Sequence, residues 1–138
     1  MPEQRRKDAG PPKTRAIEVA QTPPQPNVAG LFVSGEPLPN DLTVRLCVEA
    51  GPRAGAVIPL TLPVTVLGRG AAYADVELDD EAASRRHAFI VHKAGVFSVA
   101  DMGSTNGTTL NGKVIGQCRL QSGDRIQIGA AVLRFEIT

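Results

Sequence analysis

Three short clusters carry the side chains best suited to chemistry: Gly68-Arg69-Gly70, Ser84-Arg85-Arg86-His87 and Gly103-Ser104-Thr105-Asn106-Gly107-Thr108. They combine the guanidinium groups of Arg69, Arg85 and Arg86 with several hydroxyls, one carboxamide and glycine-loosened backbone N–H groups. That inventory suits a phosphate dianion, because Arg supplies charge and a planar fork while hydroxyl and N–H donors complete the shell. Each cluster alone also has a plainer reading. Gly68-Arg69-Gly70 reads equally as a turn with an exposed Arg. Ser84 to His87 reads as a solvated charge run or a kinase recognition site. Gly103 to Gly107 has the look of a nucleotide loop, but no P-loop Lys follows it. Asn106-Gly107-Thr108 is formally a glycosylation acceptor, which matters only in a secreted chain. Asp79-Asp80-Glu81 could hold a cation, although a solvated loop that repels acidic residues of a ligand is the preferred reading. His87 has neither a second metal ligand nor a nucleophile beside it, and His92 reads as a surface residue of a strand.

Such clusters act together only on a scaffold that gathers loops. Leu42, Val44, Leu46 and Val48 alternate with Thr43, Arg45, Cys47 and Glu49, the period-two signature of a half-buried strand. Further strands are expected at Ala56 to Leu60, Val64 to Leu67, Asp75 to Leu78, His87 to Lys93, Val96 to Ala100, Thr108 to Leu110, Lys113 to Ile115, Cys118 to Leu120, Arg125 to Ile128 and Ala131 to Ile137. Asn111-Gly112 is a strong hairpin signal, and Ala94-Gly95 joins another pair. No window holds a helical period. The expectation is an all-β, two-sheet β-sandwich of about eleven short strands, whose loops collect at its two ends.

Composition bounds the function. Fifteen Lys+Arg against fourteen Asp+Glu leave a formal charge of +1. No global basic field therefore points to nucleic acid or an anionic membrane, and any anion site must be local. No apolar stretch approaches the roughly 18 residues of a spanning helix. The opening Met1 to Arg15 has charges without an apolar run, so no secretory signal is expected. Cys47 and Cys118 match no zinc spacing and are expected to be reduced thiols of a cytoplasmic protein. There is no nucleophile–base pair, metal cluster or nucleotide motif. The chain is therefore expected to be no enzyme, and to carry no metal and no cofactor.

Proline is distributed unevenly. Pro2, Pro11, Pro12, Pro23, Pro24, Pro26, Pro37 and Pro39 precede Asn40, and only Pro52, Pro59 and Pro63 follow. Residues 1–40 lack a sustained apolar period and are expected to form a flexible, Pro-rich tail, with 41–138 as the folded domain. Leu31-Phe32-Val33 is one apolar run in that tail, fit to dock on the domain or on a partner.

In order and spacing the blocks resemble the forkhead-associated (FHA) domain family. Gly68-Arg69, Asp75-Val76-Glu77-Leu78, Ser84-Arg85-Arg86-His87-Ala88, Gly103 to Thr108, Asn111-Gly112 and Gly123-Asp124-Arg125-Ile126-Gln127-Ile128-Gly129 follow one another as in that family. The resemblance covers about residues 42–138 and implies an FHA/SMAD-like sandwich that reads phosphothreonine in a partner peptide. It implies that Arg69 contacts the phosphate or the neighbouring peptide. By the same resemblance, Ser84 donates its hydroxyl to a phosphate oxygen, Arg85 adds a charge-assisted bond, and Thr105 helps to build the phosphate pocket. Asn106 would bond the peptide backbone beside the phosphorylated residue. Gly68, His87 and Gly107 would support the site, His87 as a buried brace of the binding loops. A small cavity for the threonine methyl would favour phosphothreonine over phosphoserine. Ala82 stands where some members read the third residue after the phosphothreonine. Ala83 replaces a β-branched residue, and Met102 a Leu.

The function expected is a phosphothreonine-peptide-binding adaptor in Ser/Thr kinase signalling, partnered by a phosphothreonine protein such as a kinase or its substrate. The alternative is a phosphate-independent interaction scaffold built on the same sandwich. Neither reading calls for nucleic acid or a membrane, and a monomer is expected unless the tail links chains. Thr14 and Thr22 are the tail's threonines, and Thr22-Pro23 is open to a kinase. Either could be phosphorylated and then occupy the site.

Overall fold

The computed structural model describes residues 34–138. Eleven strands form: β1 (Val44–Ala50), β2 (Val57–Pro59), β3 (Val64–Gly68), β4 (Val76–Glu77), β5 (Ala88–Lys93), β6 (Val96–Asp101), β7 (Thr108–Leu110), β8 (Lys113–Ile115), β9 (Gln117–Leu120), β10 (Arg125–Ile128) and β11 (Ala131–Ile137). No helix occurs among the described residues, so none there is long and apolar enough to cross a membrane. One sheet runs β2-β1-β11-β10-β7-β8 and the other β4-β3-β5-β6-β9. The two pack as a sandwich, the architecture expected from the alternation.

Period-two patterning decides which side chains enter the core. Val44, Leu46 and Val48 of β1 point inward beside Phe135 and Leu133 of β11, in the register Leu46↔Phe135 and Val48↔Leu133. Ile126 and Ile128 of β10 continue that face, and Leu67, Ala88, Ile90 and Val99 line the facing sheet. Phe97 of β6 meets Phe135 across the interior with ring centroids 5.3 Å apart. Each Val, Leu, Ile or Phe of this set contributes about 1.5–3 kcal/mol through burial, and a one-residue slip in register would turn the whole set outward. At the β7–β8 turn Asn111 and Gly112 both take positive φ, 51° and 85°. That is the backbone a two-residue hairpin needs.

His92 corrects the surface reading: it is buried. Its Nδ1 lies 3.0 Å from the Glu36 carbonyl oxygen, and its ring tilts against Phe97 at 4.7 Å. Its backbone N–H donates to Pro63 O, and its carbonyl accepts the Glu36 N–H. Glu36 therefore sits on the β3 side of β5, and its carboxylate accepts the Ala94 N–H of the β5–β6 turn at 2.7 Å. Gly35 passes so close to Pro63 that a Cβ there would meet its carbonyl oxygen at 2.4 Å. The compact unit accordingly runs from Gly35 to Thr138, starting a few residues ahead of the proline-based boundary. Cys47 on β1 and Cys118 on β9 belong to different sheets, and both are free thiols.

The site is positioned by alignment of strand ends. Leu67 at the end of β3 pairs with Ala88 at the start of β5, which pairs with Asp101 at the end of β6. The β3–β4, β4–β5 and β6–β7 loops thus leave the sandwich together, with the β10–β11 turn beside them.

Candidate functional site

His87 holds two of the loops together. It is fully buried; its Nδ1 accepts the Ser84 N–H at 3.0 Å, so Nε2 carries the proton and donates to the Gly107 carbonyl at 2.7 Å. One neutral ring thereby links the β4–β5 and β6–β7 loops, and Gly107 presents its carbonyl from a left-handed conformation with φ 84°. Asp101 organises the β6–β7 loop beneath it. Its carboxylate accepts the Ser104 hydroxyl at 2.5 Å, the Ser104 N–H at 2.9 Å and the Thr108 hydroxyl at 2.8 Å. The Ser104 hydroxyl in turn accepts the Gly107 N–H. Burial acts to raise the Asp101 carboxyl, but the hydrogen bonds from Ser104 and Thr108 outweigh it and hold the group below the usual carboxylate range.

The β4–β5 loop carries Ser84 and Arg85 and meets side chains from the β3–β4 and β6–β7 loops. Gly68 lies beneath it, and a Cβ at that position would meet the Arg85 carbonyl oxygen at 1.8 Å. Only glycine permits the loop to lie so close on the strand end. Arg69 donates its backbone N–H to Ser84 O at 3.0 Å and its Nε–H to Ala83 O at 2.8 Å. Asn106 donates Nδ2–H to Ala82 O at 2.8 Å. The Ser84 hydroxyl accepts the Thr105 N–H at 3.2 Å, which leaves its own proton available to a ligand. The Arg85 guanidinium sits 5.4 Å from the centroid of the Tyr73 ring, and Arg86 donates Nε–H to the Tyr73 carbonyl. Arg69, Arg85, Thr105 and Asn106 are exposed and Ser84 is half-buried. The structure thus gathers Arg69, Ser84, Arg85, Thr105 and Asn106 on one rim over the supports Gly68, His87 and Gly107.

Residues 65–129 match the family model for the FHA domain. A solved structure from a study of phosphothreonine-dependent FHA domain interactions is 32% identical, with a TM-score of 0.62. The match covers 68% of this chain and 95% of that one. The chain belongs to the forkhead-associated domain family. This FHA chain is also 46% identical over 90 residues to the oxoglutarate dehydrogenase inhibitor of Corynebacterium efficiens, covering 65% of itself and 63% of that protein. It is 42% identical over 104 residues to the glycogen accumulation regulator GarA of Mycolicibacterium smegmatis, covering 75% of itself and 65% of that protein. It therefore spans just under two thirds of the length of these two curated relatives.

Within the FHA domain two residues matter that the motif reading passed over, and a third that it read otherwise. Asp101 could have been found from its place three residues before Ser104, a spacing that suits a side chain closing a turn onto backbone N–H groups. Tyr73 has no sequence signal, because its ring matters only through Arg85 on a different loop. Asp80 corrects the solvated-loop reading of Asp79-Asp80-Glu81. It is buried, and its two oxygens accept the N–H groups of Ala82 at 2.9 Å and Ala130 at 2.8 Å. Among the described residues no three of His, Cys, Asp and Glu gather as metal ligands. Thr14 and Thr22 lie outside the described residues.

Proposed function

We propose that this chain is a phosphothreonine-peptide-binding adaptor of Ser/Thr kinase signalling in the cytoplasm, acting by recognition and not by catalysis. The observation that supports it is the convergence of Arg69, Ser84, Arg85, Thr105 and Asn106 on one rim, each braced on its inner side. Arg69 and Arg85 supply positive charge, and the Ser84 hydroxyl, relieved of its acceptor duty by Thr105, donates to a phosphate oxygen. Thr105 walls the phosphate, while Asn106 reaches the ligand backbone through the amide atoms not committed to Ala82. Charge-assisted donors are worth about twice neutral ones, which suits a dianion taken partly out of water. The ligand is a segment of a kinase or of a kinase substrate.

The same reading extends to the chain's own residues. Phosphorylated Thr22 or Thr14 competes for the rim, within one chain or between two.

The test is a phosphopeptide array with wild-type protein, Arg69→Ala and Ser84→Ala, followed by calorimetry on the best ligand. The proposal expects binding to phosphothreonine peptides, weaker binding to phosphoserine, none to the unphosphorylated forms, and at least a tenfold loss in either variant. Binding that ignores both phosphate and Arg69 would instead establish the phosphate-independent scaffold.

A further inference from the structure

The phosphate-reading side chains lean on three consecutive carbonyls. Ala82 O accepts Asn106 Nδ2–H, Ala83 O accepts Arg69 Nε–H, and Ser84 O accepts the Arg69 backbone N–H. Residues from two other loops are therefore oriented by the backbone of one short segment. None of the three touching carbonyls can move without carrying Arg69 or Asn106 with it. What holds that segment decides the shape of the rim.

Asp80 holds it from below. Its Oδ1 accepts the Ala82 N–H, its own carbonyl accepts the Ala83 N–H at 3.0 Å, and its Oδ2 accepts the Ala130 N–H. Ala130 lies in the β10–β11 turn of the opposite sheet. The contact is tight: a Cβ on Gly129, at φ 60°, would meet the Ala82 Cβ at 2.8 Å and Asp80 Oδ2 at 3.0 Å. Asp80 is buried at 8% exposure. A buried polar side chain with both oxygens engaged is a costly feature that a merely solvated acidic loop would not retain.

We infer that Asp80 is a positioning residue for ligand recognition: by clamping the Ala82–Ser84 segment to the β10–β11 turn, it presets Arg69 and Asn106 for a phosphorylated peptide. This rests on the function proposed above and adds to it a residue that touches no ligand. Removing an acceptor from Asp80 leaves the Ala82 or Ala130 N–H unpaired, and the segment then samples positions in which Asn106 and Arg69 miss their targets. Affinity falls because ordering must be supplied at the moment of binding.

The experiment compares the full chain with Asp80→Asn, Gly129→Ala and Leu46→Val. The last loosens the core on β1, which carries none of the rim residues, and controls for lost stability. Thermal unfolding ranks the variants, calorimetry with the best phosphothreonine peptide from the array reads affinity, and amide NMR of the ligand-free proteins follows the Asn106 side-chain NH2 and the Thr105 N–H. The expected result is about a tenfold affinity loss in Asp80→Asn and in Gly129→Ala, with Asn106 and Thr105 signals shifted or broadened. Leu46→Val should keep both affinity and signals. Wild-type affinity and unshifted signals in a folded Asp80→Asn overturn the inference, as does an equal loss in Leu46→Val. If Asp80→Asn fails to fold, Gly129→Ala decides by the same readings. If the wild type binds no phosphothreonine peptide, the proposed function falls, while the NMR comparison still decides whether Asp80 positions the rim.

Discussion

At the scale of single residues, the site depends on where atoms are kept out as much as on where they are placed. Gly68 has nothing to offer a ligand, yet the Arg85 carbonyl lies where its Cβ would be. The obstruction is backbone, which cannot swing aside as a side chain can. Gly68→Ala is expected to cost about 3 kcal/mol or more, the upper range of overpacking, and to lower phosphopeptide affinity in whatever fraction remains folded. Urea titration against the wild type checks the first, and calorimetry the second. Ser84 makes the complementary point. Its hydroxyl accepts the Thr105 N–H, which leaves its own proton free for the ligand contact proposed above, a division of labour that its residue type alone does not reveal.

At the scale of elements, the β6–β7 loop is a small network closed on Asp101. Three donors converge on that carboxylate, and the His87 ring sits with Nε2 4.0 Å from Oδ1. The loop is held by a group whose folded pKa is depressed. The unfolded chain therefore binds a proton more readily, and stability rises with pH across the interval between the two values. The contribution is fully present above the ordinary carboxylate value of about 4 and is lost as pH falls through the lower folded value. Asp101→Asn is expected to destabilise the domain at pH 7 and to narrow its gap to wild type as the pH approaches 3. Denaturation midpoints measured across that range check the sign; a gap that widens on acidification would refute it. The β5–β6 turn illustrates the same economy, since the short segment at Glu36 caps it through one carboxylate and one buried histidine.

At the scale of the whole molecule, a net charge of +1 supplies no overall field for an anion, so on the proposed function the attraction for a phosphorylated ligand must come from the rim. Thr22 lies 13 residues before Gly35, where the compact unit begins. On the proposal that phosphorylated Thr22 competes for the rim, tethering raises its effective concentration, to roughly the millimolar range for a short linker that can span the two sites. A chain phosphorylated at Thr22 is therefore expected to bind a reference phosphothreonine peptide at least tenfold more weakly than the unphosphorylated chain. Equal affinities, measured at matched salt, would reject the tail as a competitor. The competition should weaken below about pH 6, where phosphate loses its second charge.

The strands, the sandwich and the three clusters were legible in the sequence because period-two alternation and turn residues such as Asn111-Gly112 are local signals, and local spacing suffices to state them. His92 and Asp80 were not legible, because burial of a polar side chain depends on what packs against it from distant parts of the chain: Glu36 in one case, Ala130 in the other. The same holds for Tyr73 under Arg85 and for the three carbonyls that orient Arg69 and Asn106. Residue type declares which groups can bind a phosphate; only the alignment of Leu67, Ala88 and Asp101 at adjoining strand ends brings those groups within a few ångströms of one another.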